Sequence, residues 1–171
     1  MPLRNAMSKS EKKPSRKASV FSSTYRGSAV PHLSTNKGSV FLSYNSADRS
    51  LAKQVAERLS AAGYLISNGD DVVEPGANWL EAVGRALNRA DAVVFFLSRT
   101  ALRARSTSLE LDFVLSTRKF KNRVVPVLID TEPTEVPWIV RHLPFVSTGK
   151  RDETDADAVA KSVRKELDQR L

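Results

Sequence analysis

The chain of 171 residues has no cysteine, only two histidines and two methionines, and just 7% aromatic residues. Without cysteine there are no disulfides and no thiolate metal sites, and a cytosolic setting is the natural expectation. His32 and His142 stand far apart in the sequence and lack the spacing of a metal-ligand pair. No apolar run approaches the ~20 residues that a membrane span requires, and Met1-Pro2-Leu3-Arg4 opens no signal-peptide-like apolar core. The expectation is a soluble, cytoplasmic protein of one ordinary-sized domain with an appendage.

The glycine-rich and serine-based signatures of common enzymes are missing too. Asn68-Gly69-Asp70-Asp71 is neither a G-x-G-x-x-G fingerprint nor a phosphate-cradling loop. There is no G-x-S-x-G elbow, and neither histidine is placed to serve a serine nucleophile. A phosphate-accepting receiver needs paired acids after its first strand, where this chain has Ser43-Tyr44-Asn45.

What is present divides sharply by charge. The formal net charge is +8, yet residues 1–37 hold eight basic residues against Glu11 alone and so carry +7 of it. The remaining 19 basic and 18 acidic residues nearly cancel. Residues 1–37, rich in Ser, Lys and Arg and without a sustained apolar period, read as a disordered tail. Three roles stay open for it: a solvated leader, an electrostatic anchor for nucleic acid or lipid, or an organelle transit peptide.

From residue 38 onward, strand patterns alternate with helix patterns. Gly38 to Asp48 runs from small residues through Val40-Phe41-Leu42 into polar Ser43-Tyr44-Asn45-Ser46. That predicts a first strand over 39–44 and a helix capped by Ser46 and running to Ala62, ended by Gly63. A short second strand follows at 64–67, then a long loop over 68–78 with a type II turn at Pro75-Gly76. A helix over 79–89 places Leu80, Val83, Leu87 and Ala90 together. The continuous apolar run of residues 92–97 is a central parallel strand, buried on both faces. A polar segment over 99–106 leads to a helix over 107–118, and a fourth strand over 124–129 contains an awkward Pro126. A fifth strand near 145–147 and a helix over 157–171, with Ala158, Val159, Val163 and Leu167 on one face, close the chain.

Strands joined by helical crossovers imply a parallel sheet covered on both faces: an α/β, flavodoxin-like three-layer sandwich with five strands in the order 2-1-3-4-5. Ligands of such sheets bind outside the carboxyl ends of the strands. That edge is expected to gather Tyr44, Asn45 and Ser98.

The set Val40-Phe41-Leu42-Ser43-Tyr44, Asp48, Pro75-Gly76 before Trp79, Val94 to Ser98, Glu110-Leu111 and Val124-Val125-Pro126-Val127, in this order, resembles a Toll/interleukin receptor (TIR) domain of the bacterial type, spanning residues 38–171. The resemblance also covers Pro126, since proline is frequent in that strand of the family. It implies either of two trades. Many TIR domains cleave NAD+ at the nicotinamide glycosidic bond, giving ADP-ribose or its cyclic form, with NAD+ as substrate and no cofactor. Others are interaction modules that assemble with, or mimic, other TIR domains in signalling. A bacterial defence or immune-signalling effector is the expected setting, with self-association or other TIR partners engaged through the 68–78 loop and nucleic acid only through the tail.

In the catalytic members a glutamate on the third helix is essential, and here it falls on Glu110. One carboxylate suffices chemically, because the positive ring nitrogen already activates the leaving nicotinamide and only the oxocarbenium-like ribose needs stabilising. Trp79 and Tyr44 are expected to line the pocket with Asn45, Asp48 and Ser98, the Ser43-Tyr44-Asn45 end facing Glu110 across the cleft. Asp48 has a competing role near the N-terminus of the first helix. Catalytic relatives often place a tryptophan four residues before the glutamate. This chain has Ser106 there, which leans toward the interaction module.

Overall fold

A computed structural model describes residues 36–72, 78–149 and 155–171. The disordered tail expected over 1–37 therefore lies almost wholly outside the described residues, as do His32 and the turn at Pro75-Gly76. Asn36 and Lys37 are described and tied to the fold. The Lys37 amide donates to the Gly63 carbonyl at 3.1 Å, and its Nζ meets Asp168 Oδ1 at 2.8 Å.

Five parallel strands form one sheet: β1 (Ser39–Ser43), β2 (Leu65–Asn68), β3 (Ala92–Ser98), β4 (Val124–Ile129) and β5 (Val146–Ser147). Their order is 2-1-3-4-5, so the chain has the flavodoxin-like α/β architecture. The uninterrupted apolar run of β3 is buried at every position and pairs with β1 on one side and β4 on the other, because a strand sandwiched between two helical layers has no polar face to offer. Pro126 sits in β4 opposite Phe95. The two-residue edge strand β5 pairs from Val127 onward and does not reach the proline, which is how the sheet tolerates the missing donor.

Helices α1 (Arg49–Ala61) and α7 (Ala156–Asp168) cover one face of the sheet. The other face carries α3 (Trp79–Arg89) and α5 (Arg105–Ser116), with the one-turn α6 (Trp138–Arg141) beside them. Alternation along β1 feeds both layers. Val40 and Leu42 pack with Val55, Leu59, Val163 and Leu167, whereas Phe41 packs with Val83, Leu87 and Leu111. Gly63, at φ 99°, ends α1 in the left-handed conformation that glycine adopts freely.

Several boundaries differ from the sequence expectation, each for a local reason. Ser46 does not cap α1. The Asn45 side chain accepts from the Ala47 amide at 3.1 Å and starts a 3-10 turn over Ser46–Asp48 that leads into the helix. The second strand begins at Leu65 rather than Tyr64, whose hydroxyl is instead directed to Asp168 at 2.7 Å. The start of the expected 68–78 loop is structured: Asn68 closes β2 and α2 (Gly69–Val72) follows. The polar segment over 99–106 is helical as well, with α4 (Arg99–Arg103) capped by the Ser98 hydroxyl before α5 begins. Helix α5 ends at Ser116 and a 3-10 turn takes Arg118–Phe120. Leu80 is exposed and Ala82 and Ala86 take its place under α3; on α7 the buried alanines are Ala156 and Ala160, not Ala158.

Candidate functional site

At the carboxyl end of β1 the sheet opens into a cavity of about 380 Å³, lined by Phe41, Leu42, Ser43, Tyr44, Gly69, Asp70, Trp79, Ser106 and Glu110. A larger groove of about 630 Å³ between α1 and α7 is open, and its acids are taken up in surface ion pairs, Asp157 with Arg58 and Asp168 with Arg164. The first cavity is walled by the buried carboxylate of Glu110.

Glu110 is its most unusual wall. On α5 the buried positions are Thr107, Glu110, Leu111 and Val114, the i, i+3, i+4, i+7 stripe that faces the sheet. Glu110 therefore belongs to the buried stripe and is only 8% exposed. Burial pushes its carboxyl above the ordinary range, and a hydrogen bond from the Ser43 hydroxyl to Oε2 opposes that rise. Among the described residues no cation pairs with it. A carboxylate desolvated without a cationic partner is costly in a fold and is characteristic of functional clefts.

Ser43 reaches Glu110 because of strand alternation. It lies two residues after Phe41 and so points to the α3/α5 side of the sheet. Tyr44, the next residue, is half-buried at the cavity mouth, and its hydroxyl donates to Asp70 Oδ2 at 2.8 Å. Burial first, then the Asp70 hydrogen bond and charge, raise the phenol well above its ordinary range. Arg49 holds the same carboxylate, with Nη2 to Oδ1 at 3.1 Å and Nε to Oδ2 at 3.0 Å. Trp79 stands at the first position of α3, which Asn78 caps by accepting from the Leu80 and Glu81 amides. It packs half-buried on the same core that supports α5. Ser106 is exposed one turn before Glu110.

The structure thus brings Tyr44, Trp79, Ser106 and Glu110 to one cavity and places Asn45, Asp48 and Ser98 off its wall. Asn45 is occupied as a cap. Asp48 is 3% exposed and accepts a 2.6 Å hydrogen bond from the Ser98 hydroxyl, which itself accepts from the Ala101 amide at 3.2 Å. This pair ties the ends of β1 and β3 together. Ser43 and Asp70 are wall residues that the sequence reading did not single out as binding groups. The in-register alternation of β1 was the signal for Ser43. For Asp70, nothing short of the α2 turn revealed that it would fold back on Tyr44.

No group of three or more His, Cys, Asp or Glu residues suited to a metal ion occurs among the described residues, and no helix there is long and apolar enough to cross a membrane.

A flavodoxin-like sheet with a cavity at the carboxyl end of its first strand defines the class. The sequence profile of the TIR domain matches residues 40–163, and the chain belongs to that family. Two solved structures of similar fold are of a metazoan TIR-STING receptor from C. gigas. The one in complex with 2',3'-cGAMP is 20% identical, with a TM-score of 0.61 over 79% of this chain and 41% of that one. The other is 19% identical, with a TM-score of 0.54 over 80% and 42%. The chain spans about four-tenths of the length of these receptors. No curated protein matches the sequence.

Proposed function

We propose that this TIR domain cleaves NAD+ at the bond between nicotinamide and ribose, with Glu110 as the catalytic carboxylate. The observation that carries the reading is a glutamate buried on the sheet-facing stripe of α5, without a cation among the described residues, and open to the cavity. A site with one unneutralised carboxylate among its described residues favours a ligand that brings or develops positive charge.

The chemistry follows from that. As the C1′–N bond lengthens, its electron pair passes to the pyridinium nitrogen and nicotinamide departs neutral. Positive charge moves onto C1′ and the ring oxygen, and the Glu110 carboxylate stabilises it while accepting from the ribose hydroxyls. Water then bonds to C1′ and loses its proton to solvent, giving ADP-ribose. If an adenine nitrogen of the same molecule attacks instead, the cyclic product forms. Trp79 and Tyr44 offer aromatic surface for the rings. The setting proposed is a bacterial defence or immune-signalling effector.

The experiment is to incubate the purified chain, concentrated and in parallel with Glu110→Ala, with NAD+ and to follow free nicotinamide. Release that requires Glu110 supports the reading; release that survives the substitution overturns the site.

One observation favours a second reading. Ser106 leaves the wall open where catalytic TIR domains often carry a tryptophan. On that reading the domain assembles with other TIR domains through the 68–78 segment and cleaves nothing. Absence of nicotinamide release from the concentrated chain, with self-association intact, would favour it.

A further inference from the structure

We infer that Ser43 is a positioning residue for Glu110: its hydroxyl takes one carboxylate oxygen, Oε2, and leaves Oε1 for a ligand in the cavity. The inference deepens the proposed NAD+-cleaving reading and rests on it for its catalytic meaning. Its geometric basis stands apart from that reading.

Ser43 is 5% exposed at the last position of β1, and both its neighbours in the sheet are fixed: it pairs in register with Phe95 of β3, and Leu42 before it pairs with Asn68 of β2. The hydroxyl therefore approaches α5 from a rigid strand rather than from a loop, and it donates to Glu110 Oε2. Groups held on strands and helices keep a tighter geometry than groups on loops. An unsupported glutamate has three rotatable bonds; one hydrogen bond from a fixed donor removes much of that freedom.

Among the described residues, every other polar group on the wall is committed elsewhere or carries no charge. On β1, Tyr44 donates to Asp70; on α2, Asp70 is held by Arg49; α3 contributes Trp79; and on α5 itself Ser106 is the only other wall residue. Two causes act on the Glu110 carboxyl, burial raising its affinity for a proton and the Ser43 hydrogen bond lowering it. Ser43 therefore opposes the rise that burial imposes on this carboxyl, as well as aiming it.

The test uses the full chain with Ser43→Ala and Ser43→Thr. Threonine keeps the hydroxyl and suits a strand. Two readouts are needed: the pH profile of kcat/KM for nicotinamide release, and the titration of the Glu110 carboxyl followed directly by carbon NMR. In Ser43→Ala the Glu110 titration and the acidic limb of the profile are expected to move to higher pH. The loss of rate is expected to be concentrated on the acidic side, roughly tenfold there, the scale of one hydrogen bond to a charged group. Ser43→Thr is expected to restore both. Should alanine fail to fold, Ser43→Cys, a weaker donor of similar size, is expected to move the titration in the same direction by less. A uniform fall in rate at all pH values, or a Glu110 titration that coincides with the parent's, overturns the inference. A titration that moves in a chain releasing no nicotinamide upholds the Ser43–Glu110 coupling and counts against the NAD+ reading instead.

Discussion

The Tyr44 hydroxyl and the Asp70 carboxylate lie 2.8 Å apart and join the end of β1 to α2, with Arg49 closing the arrangement from α1. Asp70 is exposed and Arg49 is exposed, so solvent screening keeps the contribution to stability small. Its importance is positional: it fixes one side of the cavity mouth.

Tyr44→Phe is therefore expected to change the unfolding free energy by less than about 1 kcal/mol while raising KM for the cavity's ligand. Asp70→Asn should behave alike. Urea unfolding beside a KM measurement checks both halves; a large loss of stability with KM unchanged would contradict the assignment.

The buried pair of Ser98 and Asp48 has the opposite profile. Ser98 is 1% exposed and uses its hydroxyl twice, as donor to Asp48 and as acceptor from the Ala101 amide. Asp48→Ala leaves that hydroxyl without its acceptor and is expected to cost about 1–3 kcal/mol of stability. Because neither residue lines the cavity, activity per folded molecule should stay close to that of the parent. A catalytic defect with stability unchanged would place Asp48 in the site after all.

Glu110 itself should cost stability. Burial raises its folded-state affinity for a proton above that of the unfolded chain, so the folded state favours the neutral form. At neutral pH and above, the ionised side chain penalises folding; as pH falls toward the unfolded value of about 4 the penalty vanishes. Glu110→Gln is accordingly expected to raise the melting temperature at neutral to mildly alkaline pH and to lose that advantage in acid. Thermal unfolding of both chains across pH checks the sign. A glutamine variant less stable at neutral pH than in acid, relative to the parent, would contradict it.

Much of this fold is legible in the sequence, and the reasons are physical. The all-apolar run of β3 leaves no choice but a central strand, and Gly63 stops α1 where left-handed backbone is needed. Helix α3 begins at Trp79 and ends at Arg89, as its pattern predicts. The short elements were harder: α2 and α4 are single turns whose residues read as loop because nearest-neighbour capping, not periodicity, creates them.

The cavity shows the same division. Helix α5 carries Leu109, Glu110, Leu111, Phe113 and Val114 in close succession, so apolar content alone does not tell which stripe faces inward. The structure buries Leu111 and Val114 and leaves Leu109 and Phe113 exposed at 41% and 36%, and that rotation carries Glu110 into the wall. In the sequence Glu110 was visible through the family resemblance; its desolvation became visible only with the helix placed. Asn45, Asp48 and Ser98 sit at the same sheet edge but are drawn into caps and a buried hydrogen bond, a competition between local backbone amides and the cavity that a sequence does not reveal.

Glu110 is proposed to act on the glycosidic bond of NAD+, and of the described wall carboxylates it is the one that no cation holds, Asp70 being paired with Arg49. Its most direct test is nicotinamide release from NAD+ by the concentrated full chain, measured beside Glu110→Ala and Asp70→Asn. Release by the parent is expected, with a fall of at least about a hundredfold in Glu110→Ala and a much smaller effect in Asp70→Asn. Release by Glu110→Ala at the parent's rate would contradict it.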